Sequence, residues 1–137
     1  MRSAYLLPLA AMVLLNFLVW LRLYQTRLGE MKRRRIHPQT VASAAQMAAL
    51  EDTRAADNFR NLSELPVLFY AAMLLILLLP MHSTLLLVLS WCFVALRYLH
   101  SFIHCTYNRV KDRFTAYLLS SIALWALWAV LLFDRLR

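Results

Sequence analysis

Four apolar runs divide the chain. They span Ala4 to Leu21, Leu65 to Met81, Thr84 to Leu96 with an interrupted extension to Tyr107, and Phe114 to Phe133. A helix crossing about 30 Å of hydrocarbon needs roughly 20 residues, which the first and fourth runs supply almost unaided. The middle runs are shorter. At 1.5 Å per residue Thr84–Leu96 covers only about 20 Å, so the helix must take Arg97, His100 and His104 into or near the membrane to finish crossing. The same arithmetic puts Glu64 and Asn61 at the boundary of the second helix. The pattern predicts an all-α, integral membrane four-helix bundle forming one transmembrane domain over residues 1–137. Its helices are expected over 4–22, 42–80, 83–108 and 113–134, with a basic loop over 23–41. Nothing breaks helix between Pro38 and Pro66, so the second helix is expected to start near Thr40–Ala45 and to bend slightly at Pro66.

Composition agrees with a membrane chain. It is 62% hydrophobic and 16% charged, with one glycine, Gly29, against roughly half apolar and a quarter charged in soluble domains. A single glycine excludes glycine-rich phosphate loops. Cys92 and Cys105 form no CxxC pair, which argues against a disulfide framework or a structural zinc site. The first run is followed by Arg22, Leu23 and Tyr24 instead of a small-residue cleavage site, and so reads as a retained helix.

The net charge of +8 is distributed unevenly. Arg22, Arg27, Lys32–Arg35, Arg54 and Arg60 lie between the first two helices, and Arg109, Lys111 and Arg113 between the last two. The other side has only Arg2, Arg135 and Arg137, and the Pro80–Ser83 turn has no Lys or Arg. The positive-inside rule then places both basic connections in the cytoplasm and both termini outside it. The membrane accounts for these basic residues, and nucleic acid is not an expected partner.

Two polar stripes carry the candidate chemistry. Arg54, Asp57, Asn61 and Glu64 follow 3-4-3 spacing; Arg97, His100, His104, Tyr107 and Lys111 follow 3-4-3-4 spacing, so each set shares a helix face. Ionisable groups at membrane depth cost about 3 kcal/mol on insertion scales, so they should face the bundle interior and find partners. Glu64 and Arg97 read either as an intramembrane ion pair or as ligand-binding groups. The excess of arginine over acid suits an anionic ligand bearing carboxylates. His100 and His104 at i, i+4 have no third ligand at suitable spacing, and no metal is expected. Trp125 and Trp128 read as lipid-facing or packing residues.

On these residues the chain resembles the MAPEG family, the membrane-associated proteins in eicosanoid and glutathione metabolism, and is closest in character to bacterial members. Arg60-Asn61-Leu62-Ser63-Glu64-Leu65-Pro66 looks like the family's Arg-Asn-x-x-Glu signature followed by proline. Arg97-Tyr98-Leu99-His100 looks like its Arg-x-x-His pattern, with Arg113 and Tyr117 at the matching later positions. The resemblance implies a homotrimer of four-helix subunits in a bacterial inner membrane, binding glutathione as co-substrate between subunits near the cytoplasmic face. It implies that Arg22, Arg60, Asn61, Glu64, His100, His104 and Tyr117 line that site and that Arg113 stabilises the thiolate for catalysis. A microsomal-type glutathione transferase or peroxidase acting on hydrophobic small molecules from the lipid is the implied activity. Three positions depart from the eicosanoid enzymes: Asp57 replaces a glutathione-binding arginine, His104 a tyrosine and Phe114 a serine. The alternative reading is a non-catalytic lipid-binding or scaffold protein of the same fold.

Overall fold

The computed structural model describes residues 2–79 and 83–136. Pro80, Met81 and His82 of the expected turn, Arg137, and the side chains of Arg2 and Arg135 lie outside the described residues. In chain order the elements are α1 (Arg2–Arg34), a 3₁₀ turn (Pro38–Val41), α2 (Ala44–Met47), α3 (Arg54–Leu62), α4 (Pro66–Leu78), α5 (Thr84–Cys105) and α6 (Val110–Leu136). Four segments are long and apolar enough to cross a membrane: Ser3–Arg34, Arg54–Leu78, Thr84–Cys105 and Val110–Asp134. The protein is an all-α integral membrane four-helix bundle. α1 packs on α3, α4 and α5, and α6 packs on α5 and α4.

The core draws Met12, Leu15 and Val19 from α1, Phe69, Met73 and Ile76 from α4, Leu86, Phe93 and Val94 from α5, and Leu124 and Leu127 from α6. Phe69 and Phe93 stack at its centre with ring centroids 4.6 Å apart. Lipid is as apolar as this core, so association rests on close packing and interhelical hydrogen bonds. The Tyr5 hydroxyl donates to the Ser83 carbonyl at 2.6 Å, tying the start of α1 to the start of α5. Near mid-span the Asn16 amide donates to the Tyr70 hydroxyl at 2.6 Å and Tyr98 donates to the Ala11 carbonyl at 2.7 Å. Trp128 donates its indole N–H to the Leu68 carbonyl.

Two boundaries differ from the sequence expectation, each for a local reason. α1 does not stop near residue 22 but continues to Arg34, so most of the expected 23–41 loop is helix. At about 50 Å it is longer than the hydrocarbon is thick, and its last turns project beyond it. It ends where Arg35 takes φ 52° and the Ile36 N–H reaches back to the Met31 carbonyl at 2.9 Å, a Schellman closure. Lys32, Arg33 and Arg34 in its last turn oppose the helix dipole.

The second helix does not run unbroken from 42 to 80. Ser43 and Gln46 form a reciprocal capping box that starts α2, but the helix lasts one turn. The buried Glu30 carboxylate on α1 then accepts the Glu51 N–H at 2.8 Å, the Asp52 N–H at 3.4 Å and Arg34 at 2.7 Å. These bonds replace helical partners and fold the segment onto α1, burying Val41 and Leu50. Helix resumes at Arg54, whose guanidinium binds both Asp52 oxygens at 2.9 Å and the Thr106 carbonyl at 2.6 Å. A second break spans Ser63–Leu65, because Pro66 has no N–H for the Leu62 carbonyl. The chain tightens there into i→i−3 bonds, Val67 to Glu64 and Leu68 to Leu65.

The Arg54 guanidinium beside Asp52 holds its carboxyl below the usual carboxylate range. The stabilisation from this contact is therefore present at neutral pH and is lost as pH falls through that lowered value. Glu30→Ala should raise protease cleavage within residues 35–53 severalfold while leaving the helical circular dichroism of the spans unchanged; equal cleavage of both proteins would show that Glu30 does not hold the segment.

Candidate functional site: a polar pocket at the basic end of the bundle

The inward face of α5 carries Leu86, Ser90, Phe93, Arg97, His100 and His104, the helical spacing that the sequence stripe required. Arg97 is completely buried. One of its amines donates to the Asn61 carbonyl at 3.3 Å. Its guanidinium carbon lies 5.0 Å from the Tyr117 ring centroid and 5.7 Å from that of Phe93. Cation–π contact of this kind is worth about 2 kcal/mol when desolvated. Two further donors, Nε and Nη1, have no hydrogen-bond partner.

The histidines continue this polar column toward α6. His100 Nδ1–H donates to the Arg113 carbonyl at 3.1 Å. A carbonyl only accepts, so this bond requires a proton on Nδ1; in the neutral ring Nε2 is then the acceptor. That Nε2 and Nδ1 of His104 are buried without partners. The two imidazoles meet edge to face at 5.5 Å, and His100 lies 5.8 Å from Tyr117. Arg113 starts the far wall, its guanidinium fixed to Asn108 Oδ1 at 2.7 Å. Asn108 has φ 49° and donates its N–H to the Ile103 carbonyl at 2.8 Å, so one residue ends α5 and anchors Arg113.

Arg97, His100, His104 and Tyr117 therefore converge, and Asn61 and Arg113 join them through their backbone carbonyls. The remaining predicted site residues stand elsewhere. Arg22 lines a groove of about 370 Å³ on the α1–α5 side with Tyr98, Ser101, Phe102 and Cys105. Arg60 and Glu64 are exposed. The buried positions of α3 are Ala55, Asn58 and Leu62, so the Arg54–Asp57–Asn61 stripe lies about 100° away from the helix's inward face. The expected Glu64–Arg97 ion pair is not closed within the chain. Among the described residues the ion pairs under 4 Å join Arg33, Arg34 and Arg54 to Glu30, Glu51 and Asp52. The Ser63–Leu65 break turns Glu64 to the surface, and the Asn61 carbonyl takes the place of the acid. Tyr107 and Lys111 leave the α5 stripe because the helix ends at Cys105.

The sequence stripes missed Asn58, which is fully buried, accepts from the Ser101 hydroxyl at 3.3 Å and donates to Cys105 Sγ at 3.5 Å. Its place three residues after Ala55 and four before Leu62, both apolar, was the available signal. Among the described residues no three His, Cys, Asp or Glu side chains group as metal ligands would.

Four apolar spans with a buried arginine and two buried histidines packed together at one end define a polytopic membrane protein with a buried polar cluster. The sequence profile of the MAPEG family matches residues 5–133. The chain belongs to that family, in which the four-helix membrane bundle is the common fold. No curated protein and no solved structure matches it.

Replacing a buried charge by an apolar side chain of similar volume is often neutral or stabilising, whereas truncation leaves a cavity costing about 2–5 kcal/mol. Arg97→Met should therefore unfold in detergent at or above the wild-type temperature, and Arg97→Ala below it. A melting temperature for Arg97→Met well below that of Arg97→Ala would show that the guanidinium itself holds the bundle.

Proposed function

We propose that the protein binds glutathione at the basic end of the bundle and uses its thiolate against hydrophobic electrophiles or peroxides that arrive from the lipid. The observation that carries this reading is the buried Arg97 guanidinium, which no acid meets in direct contact among the described residues. Arg97 is buried with two unpartnered donors, and neither it nor Arg113 has an acid within 4 Å among the described residues. Glutathione supplies two carboxylates and a thiol that ionises, the charges such a site lacks. Family membership supports the same ligand class.

In this reading Arg60 and Asn61 hold carboxylate and amide groups, and Glu64 takes the ligand's ammonium. His100, His104 and Tyr117 line the pocket. Arg113 stabilises the thiolate, because a guanidinium beside a thiol in a low-dielectric site favours the anion and raises its nucleophilic fraction at neutral pH. In conjugation a carbon–sulfur bond forms and the displaced group leaves with the electron pair. In peroxide reduction the thiolate sulfur is oxidised as the O–O bond breaks, and a second glutathione completes the disulfide. Arg22 and Arg113 lie on different sides of α5, so a single ligand touches both most readily where two copies meet. Exposed Arg60 and Glu64 beside an apolar span also favour a covering copy, and the homotrimer satisfies both demands. The basic end faces the cytoplasm of a bacterial inner membrane in this arrangement, with both termini outside.

Calorimetry on detergent-purified protein tests the proposal. Saturable glutathione binding by wild type, weakened about tenfold or more (1.4 kcal/mol) by Arg113→Ala and by Glu64→Gln, is the expected result. No heat at millimolar glutathione would remove the enzyme reading, with the Asp57 carboxylate, in the place of a ligand-binding arginine, as the physical reason.

A further inference from the structure

A second polar feature lies outside the pocket, on the α1–α3 side. A groove of about 260 Å³ runs under α2, lined by Arg27, Ser43, Met47, Thr53, Asp57 and Arg60. It shares Arg27, Ala56 and Arg60 with a groove of about 440 Å³ that continues along Trp20, Leu23, Tyr24 and Phe59. Together they make one channel, polar at one end and aromatic at the other. Neither Arg27 nor Arg60 is in an ion pair among the described residues. Asp57 accepts a hydrogen bond from the Thr53 hydroxyl at 2.9 Å and is not paired with either arginine.

Depth matters here. Arg27 follows the apolar part of α1 by about 6–9 Å, which places it at headgroup level. Trp20 and Tyr24, in contact at 4.9 Å, sit where aromatic side chains gather at the membrane–water boundary. The roof of the polar end is the Ala42–Ala48 segment, whose downstream turn is held to α1 by Glu30. Its small side chains leave room for a headgroup.

We propose that this channel binds one zwitterionic aminophospholipid, its phosphate between Arg27 and Arg60, its primary ammonium on Asp57, and an acyl chain along Trp20, Leu23, Tyr24 and Phe59. The planar guanidinium forks match phosphate oxygens. A primary ammonium brings N–H donors to the Asp57 carboxylate, whereas a quaternary ammonium brings none, so the site discriminates phosphatidylethanolamine from phosphatidylcholine. The site shares Arg60 with the glutathione reading and includes Asp57, which stands where the resemblance places a ligand-binding arginine; Arg27 and the aromatic end lie outside that reading.

Native mass spectrometry of the full chain, titrated in detergent with phosphatidylethanolamine, phosphatidylcholine or phosphatidylglycerol, tests this. Wild type should retain phosphatidylethanolamine severalfold better than either other lipid. Arg27→Ala should weaken retention of all three about tenfold (1.4 kcal/mol), and the isosteric Asp57→Asn should remove only the preference for the primary amine. Equal retention of the three lipids by wild type, or retention unaffected by Arg27→Ala, would overturn the proposal. So would a change in oligomer mass with Arg27→Glu at unchanged lipid retention, which would assign the channel to a second copy. Glutathione calorimetry on Arg27→Ala, a residue outside the glutathione reading, should match wild type, so failure of one proposal is distinguishable from failure of the other.

Discussion

A guanidinium closed off from water, with no acid in contact, is the constraint around which the polar half of this bundle is arranged. Placing Arg97 on an apolar span costs about 3 kcal/mol on insertion scales before it finds partners. The fold meets that cost with groups that carry no formal charge: the Asn61 carbonyl and the faces of Tyr117 and Phe93. The carbonyl is available because α3 stops at Leu62 and leaves its last carbonyls without helical donors. Pro66 causes that stop, so the proline beneath the signature and the arginine on the neighbouring helix are parts of one arrangement. Two donors of Arg97 remain unfilled, and on the proposed reading these are what an anionic ligand would meet.

Outside the hydrocarbon a different rule operates. Water competes for every hydrogen bond there, and exposed ion pairs contribute little, typically under about 1 kcal/mol. The 35–53 segment is held instead by a buried carboxylate that accepts two backbone N–H groups, with Arg34 and the burial of Val41 and Leu50 beside it. α1 extends past the membrane to present Glu30 at that level. The same extension carries Arg27 to headgroup depth, so the clasp on the loop and the polar end of the outer groove are both consequences of a helix that did not stop at residue 22.

The spans were readable because hydrocarbon thickness sets their length, and the α5 stripe because a helix that buries Arg97 must also turn His100 and His104 inward. The second helix was harder. An alanine-rich stretch without a breaker reads as helix by propensity, and propensity is a weak prior against tertiary contact. Glu30 supplied that contact from 21 residues upstream, where spacing arguments do not reach. The α3 stripe misled for a related reason. Polar periodicity marks a face without saying which way it points, and on a nine-residue helix the apolar series Ala55, Leu62 with Asn58 between them decided the orientation. Asn108 was hidden because its role depends on a left-handed backbone.

That reorientation of α3 bears on what surrounds the subunit. With Ala55, Asn58 and Leu62 turned inward, Arg60 and Glu64 face outward at the edge of an otherwise apolar span, while Arg97 keeps unfilled donors inside. An isolated chain in lipid would hold the exposed Arg60 and Glu64 at a cost, with no ion pair to offset either among the described residues. The surface carboxylate of Glu64 and the buried guanidinium of Arg97 are not joined within the chain, and on the proposed reading a ligand carrying both signs of charge would meet them. A zwitterionic peptide seated against a covering copy is such a group. On the proposed reading the charge pattern favours a site completed by a second copy, and the break at Pro66 is the element that keeps Glu64 apart from Arg97.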